Sequence, residues 1–121
     1  MANYVTIVIG SVRDFYVDIC MPDSREPYDL TGFQEIMVSM PAADGTAVTL
    51  NTSTGVAPLG ALGSGRISVL LSAAKSALLL VNPSPTTFQD LQVEVIDAAG
   101  EPNVFVLSQA LNIVAPDFSV V

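Results

Sequence analysis

Few residues in this chain have side chains suited to chemistry, and each lacks a partner. Asp14 and Asp18 flank Tyr16 at alternate positions, which sets two carboxylates on one face of an extended segment. A glycosidase divides acid and base roles between such a pair, but it needs a cleft and a raised pKa. The sequence supplies neither. Cys20 is the sole cysteine, so no internal disulfide can form. A nucleophilic thiol also needs a base to draw off its proton, and the chain has no His. Cys20 is therefore expected as a half-buried strand residue. The absence of His also removes Ser-His-Asp hydrolysis, Cys-His nucleophiles and His-ligated zinc.

Three further patterns fall short of a site. Gly60 to Ile67 (GALGSGRI) approaches a phosphate-binding loop. That loop requires Lys and a hydroxyl where this chain has Arg66 and Ile67, and it must open a helix rather than a strand. Asp23, Glu26 and Asp29 cluster in one loop, but their spacing matches no EF-hand, so a solvated acidic loop is the stronger reading. Asn51-Thr52-Ser53 matches a glycosylation acceptor, which matters only in a secretory pathway, and Met1-Ala2-Asn3-Tyr4 lacks the basic start of a secretory signal. Catalytic, cofactor-binding and metal-ligating residues are therefore all expected to be none, and the chain is expected not to be an enzyme.

The elements that would position these residues are legible from spacing. Apolar residues alternate with others at Val5–Ile9, Phe15–Met21, Ile36–Met40, Val48–Leu50, Ile67–Leu71 and Leu91–Val95. A last, longer run extends from Val104 to Val114. A period of two rich in Val and Ile marks half-buried strands. Asp44-Gly45 is a tight-turn signal between two of the runs, and residues 22–27 and 97–103 are turn clusters rich in Pro, Asp, Ser and Gly. About seven strands with this spacing predict an all-β fold, an antiparallel β-sandwich or barrel. One helical insertion is expected over Leu71–Leu80, with Ser72 able to cap one or two turns. Asn51 to Gly65, with four Gly and no charge, is expected as a flexible hairpin excursion that orders against a partner, or as a disordered connector.

Length and composition bound the rest. The 121 residues suit one domain, with a core over about residues 3–114 and a C-terminal tail, Ala115–Val121. Twelve acidic and four basic residues give a net charge of −8. That argues against nucleic acid and anionic membranes as partners, since both are held by clustered Lys and Arg. Apolar residues make up 50% and charged residues 13%, against about 25% charged in ordinary domains. Mean hydropathy is +0.55. The most apolar stretch, Ile67 to Val81, contains Lys75 and is too short to span a bilayer. A soluble chain that hides surface in an assembly fits better than a membrane protein.

One ordered set of segments goes further. Pro27-Tyr28-Asp29-Leu30-Thr31-Gly32-Phe33 precedes a strand; Asp44-Gly45 and a variable loop follow. Then come Gly65-Arg66-Ile67-Ser68-Val69-Leu70-Leu71-Ser72, a helical piece through Leu78, and the strand Leu91 to Ile96. This order resembles the N-terminal domain of phage baseplate upper proteins and related small tail proteins, over roughly Asp14 to Val114. The "DLTG" turn itself reads as structural. Asp29 accepts from N–H groups two residues on, Gly32 supplies a positive φ, and Leu30 and Phe33 anchor the turn in the core.

The resemblance implies an immunoglobulin-like sandwich that works by assembly. The expected function is a structural virion protein, a tail or baseplate adaptor acting through protein–protein contacts. Its expected partners are other virion proteins and further copies of itself, as a trimer or hexamer. Assembly is expected in the bacterial host cytoplasm, with the mature location on the tail or capsid surface. The alternatives are a capsid-decorating protein and a carbohydrate-binding or adhesion module of the same fold. Residues 51–65 and 115–121 are the expected contact regions.

Overall fold

The computed structural model describes residues 4–84 and 87–115 of the chain. Eight strands run in the order β1 (Val5–Val8), β2 (Arg13–Asp18), β3 (Glu35–Pro41), β4 (Ala47–Asn51), β5 (Val56–Pro58), β6 (Arg66–Leu71), β7 (Gln89–Ile96) and β8 (Pro102–Val114). They form an all-β sandwich of two sheets. The larger sheet has the order β1-β8-β7-β3-β4 and the smaller has β2-β6-β5. All pairings are antiparallel except β1 with β8, which is parallel.

The alternation in the sequence becomes the core. Ile36, Val38 and Met40 of β3 point inward with Leu91, Val93 and Val95 of β7. From the smaller sheet, Phe15 and Val17 of β2 meet the same core as Ile67, Val69 and Leu71 of β6. Each such side chain, fully removed from water, contributes about 1.5–3 kcal/mol. The intervening residues, such as Asp14, Tyr16 and Asp18, face outward, because side chains of a strand alternate between faces.

The predicted turns form as their residues dictate. Asp29 Oδ1 accepts from the Thr31 N–H at 2.9 Å and from the Thr31 hydroxyl at 2.6 Å. Gly32 takes φ +76° and Leu30 is buried. Asp44 repeats the device in the β3–β4 hairpin, accepting from the Thr46 N–H at 3.0 Å. Asp97 closes the β7–β8 hairpin, accepting from the Ala99 and Glu101 N–H groups and from Asn103. These bonds favour the ionised form, so all three carboxyls titrate below the usual carboxylate value. At Asp29 and Asp44 the Thr hydroxyl is the main cause, and at Asp97 the Glu101 N–H is.

Three expectations change. Residues 51–65 are not an open excursion: β5 lies within them and adds the eighth strand, followed by a 3-10 turn at Leu62–Ser64. The glycines that read as flexibility serve close packing. A Cβ on Gly65 would sit 2.5 Å from the Ile19 carbonyl oxygen, and one on Gly55 would sit 2.5 Å from that of Leu70. The helix is a single turn, Ala73–Ser76, with Ser72 as its cap (Lys75 N–H to Ser72 Oγ, 3.2 Å). It is short because Leu71 still belongs to β6, while Leu79 is buried and bridges to Ala42 beside β3. Cys20 is exposed rather than half-buried, since β2 ends at Asp18 and Cys20 sits at an isolated bridge with Pro27.

Candidate functional site

Among the described residues the smaller sheet has three strands and the larger has five, so one flank of the larger sheet has no described strand opposite it. Here β2 is an edge, and its backbone polarity follows from the ladder. The Ile19 N–H donates to the Gly65 carbonyl at 2.8 Å, one step beyond the Asp18–Arg66 pair. Antiparallel ladders alternate bonded and non-bonded pairs. Arg13, Phe15 and Val17 therefore bond β6, and the N–H and C=O groups of Asp14, Tyr16 and Asp18 point away from the sheet. The Asp14 carbonyl accepts from Arg13 Nη1 at 2.8 Å. Among the described residues, no bond closes the outward N–H groups of Tyr16 and Asp18.

A groove of about 750 Å³ runs beside this edge. Tyr4, Val5, Leu91, Leu107, Ala110 and Leu111 line it from the larger sheet. Past Asp18 it adjoins a second hollow of about 390 Å³ lined by Cys20, Pro22 and Phe105. Phe105 and Leu107 lie on the inward parity of β8 yet stay half-buried, because among the described residues no strand of the smaller sheet covers them. Tyr28 covers part of this end, its ring edge-on to Phe105 at 4.9 Å. Burial pushes the Tyr28 hydroxyl above its ordinary pKa, and the charges of Asp97 and Asp29 push it the same way.

A bulge in β8 shapes the groove floor. From Leu107 to Leu111 β8 advances four residues while β7 retreats only from Leu91 to Gln89. Gln109 takes φ +53° and its N–H donates to Asp90 Oδ1 at 2.9 Å. The bulge turns the end of β8 out of the β7 ladder and onto β1, and it buries the consecutive pair Ala110 and Leu111.

The charged residues around the edge are already engaged. Arg66 grips Asp18 with two hydrogen bonds, 2.7 and 3.1 Å, and its guanidinium lies 4.4 Å from the Tyr16 ring centre. The bond to Asp18 raises the Arg66 pKa further above its already high value. Arg13 donates from Nε to the Thr6 carbonyl at 3.0 Å, which ties the start of β2 to β1 at one end of the groove. Among the described residues Arg13 forms no salt bridge.

The residues weighed for chemistry do not converge. Asp14 lies opposite Leu70 in the ladder, and the Asp18 carboxylate is held by Arg66. Asp29 is spent on its own turn, away from any cluster with Asp23 and Glu26. Among the described residues no group of three or more His, Cys, Asp or Glu is placed to hold a metal. The Gly60–Ile67 stretch leads into β6, not a helix. No described helix is long and apolar enough to cross a membrane. Of the two expected contact regions, residues 51–65 contribute Val56–Pro58 to the smaller sheet, and Ala115–Val121 lies outside the described residues apart from Ala115. Sequence reasoning missed the β2 groove, whose only local signal was a strand pattern without Pro. Comparison with protein-family models and with curated proteins finds no match.

Proposed function

We propose that this chain is a structural virion protein of a bacteriophage, a tail or baseplate adaptor that works as a homo-oligomer through protein–protein contacts. The observation that carries the reading is the free edge of β2 above an apolar groove. An exposed edge with unpaired N–H groups is a template for strand addition, and soluble chains ordinarily blunt such edges. Half-buried Phe105 and Leu107 beside it offer the apolar area a partner would cover. The low charge content and the resemblance of the Asp29–Phe33 turn and the Gly65–Ser72 strand to phage baseplate upper proteins support the same reading. Location in the virion, with assembly in the host cytoplasm, follows from it. A capsid-decorating role would use the same surface.

The carbohydrate-binding alternative is less favoured, because the Tyr16 ring already carries the Arg66 guanidinium where a sugar face would stack. Light scattering over a range of concentrations tests the assembly reading. A stable trimer or hexamer is the expected result. A monomer at every concentration removes the homo-oligomer, and saturable binding on a glycan array then favours the adhesion module.

A further inference from the structure

We infer that the open flank of the sandwich docks a second copy of this chain about a two-fold axis, β2 of each copy adding to the uncovered stretch of β8 of the other. The inference rests on the homo-oligomer reading above and names the contact that builds it.

β8 supplies a second free edge on the same flank as β2. β1 covers it only at Leu111–Val114, beyond the Gln109 bulge. Before the bulge, the Asp97 N–H donates to the Glu101 carbonyl at 3.0 Å, one step past the Ile96–Pro102 pair. The alternation of an antiparallel ladder therefore turns Asn103, Phe105 and Leu107 toward β7. The N–H and C=O groups of Val104 and Val106 point away, and among the described residues no bond closes them. Their side chains are open to water as well, Val104 at 52% and Val106 at 61%. Asp18 and Cys20 line the same hollow as Val104–Leu107, so the two free edges border one opening.

The edges match in direction and in pattern. They run opposite ways: Arg13 reaches Thr6, which pairs with Asn112, whereas Asp18 lies beside Val104–Leu107. A two-fold axis along the strands keeps each strand's direction and exchanges the two sheets. β2 of each copy then meets β8 of the other antiparallel, and the larger sheet of one copy continues into the smaller sheet of its partner. The register that joins the outward groups sets Tyr16 opposite the partner's Val106 and Asp18 opposite the partner's Val104. On the inner face it sets Phe15 beside the partner's Leu107 and Val17 beside the partner's Phe105, apolar against apolar. Each bonded pair exchanges two hydrogen bonds. Two such pairs on each side give about eight, in the range of about 10 that a stable interface carries.

Charge selects this arrangement over the other symmetric one. Residues 102–108, Pro-Asn-Val-Phe-Val-Leu-Ser, carry no charge on a chain of net charge −8, so the carboxylates of β2 meet none. A two-fold axis across the strands would pair β2 with β2 instead. The register centred on Tyr16 then sets Asp14 opposite the partner's Asp18, and like charges directly opposite are destabilising. A two-fold contact is self-complementary and joins copies in pairs. Of the two masses expected above it therefore selects the hexamer, built from three such pairs.

The test uses the full chain. Val106→Pro removes an outward N–H from β8 and leaves the ladder to β7, and circular dichroism checks that it folds. Association at this contact is expected to weaken about tenfold or more, so that light scattering finds the hexamer falling to trimers. A second variant, combining Cys20→Ser, Tyr16→Cys and Val106→Cys, does not depend on that proline. Within one chain residues 16 and 106 lie on opposite outer faces of sheets about 10 Å apart, beyond the reach of a disulfide. Across the contact their Cα atoms lie about 5.5 Å apart, within that reach. Oxidation is expected to give a covalent dimer and nothing larger on a denaturing gel, because the contact closes on two copies.

A folded Val106→Pro variant that keeps the wild-type mass, or an oxidised cysteine variant that stays single-chain, would overturn the inference while leaving the homo-oligomer standing. A covalent ladder beyond two chains would overturn it as well, since that is the product of a head-to-tail contact. A wild-type monomer would remove both the inference and the reading on which it rests.

Discussion

β5 and β2 flank the same central strand, β6, and close the smaller sheet in opposite ways. β5 is three residues long, Val56–Pro58, and its bonds to β6 run through Ala57. The neighbouring contacts, Leu70 N–H to the Gly55 carbonyl and Leu59 N–H to the Arg66 carbonyl, fix that alternation. Pro58 therefore points its missing donor outward, at the position where an added strand would need one. β2 is twice as long, contains no Pro, and among the described residues nothing closes the outward N–H groups of Tyr16 and Asp18. The larger sheet's edges are closed only in part. Arg13 caps the Thr6 carbonyl of β1, Ser11 caps that of Val8, and Thr54 closes both backbone groups of Asn51 on β4. Among the described residues β2 is the longest of the four edge strands, at six residues, and it borders the groove, so it is where strand addition is to be sought.

The largest effect is expected on the β5 side of the smaller sheet. Gly65→Ala forces a side chain into φ +68° and against the Ile19 and Tyr28 carbonyls. A loss of about 2–4 kcal/mol is expected, from left-handed backbone and overpacking together. Urea unfolding reads it. A loss under about 0.5 kcal/mol would mean that β5 and its 3-10 turn are not packed as described.

A gentler change converts one edge toward the other. Pro58→Val restores an outward N–H to β5 and is expected to shift stability by less than about 1 kcal/mol. Solution mass or aggregation should rise, because the sheet then offers two acceptor edges. An unchanged mass would mean that edge length, not proline, keeps β5 closed.

The acid-capped turns hold the framework on which both edges stand, and they are sensitive to pH. Asp29, Asp44 and Asp97 have folded-state pKa values depressed below 3.8. The stability they contribute is complete above the unfolded pKa and is lost as pH falls through the folded values. Melting temperature should thus hold steady from neutral pH down to mild acid and drop below it. Asp97→Asn should lower it at neutral pH and lose its effect in strong acid. A gap between variant and wild type that stays constant with pH would assign the effect to lost packing instead. The smallest expected effect is at Ser72→Ala, about 0.5–1 kcal/mol for a cap on a one-turn helix, read by the same melts.

Much of this was legible in the residues. Seven of the eight strands sit where Val and Ile alternate. The Asx turn at Asp29, the hairpin at Asp44-Gly45 and the cap at Ser72 each follow from a side chain bonding its own neighbourhood. Local chemistry of that kind needs no knowledge of the rest of the chain. β5 was hidden because three residues among glycines carry too little pattern, and the glycines themselves suggested looseness. Their reason is steric and distant: the carbonyls that crowd Gly55 and Gly65 belong to Leu70, Ile19 and Tyr28.

The sequence by itself determined the all-β class, the turns and the absence of His-based chemistry, because period, turn residues and composition act within a few residues. Only the tertiary structure decided which strands became edges and how they were closed. Strand order, the parallel docking of β1 on β8, the β8 bulge and the three-against-five mismatch of the sheets all depend on contacts between residues far apart in the chain. The open groove beside β2 is a product of that mismatch, since an edge is defined by the neighbour a strand lacks rather than by the residues it contains.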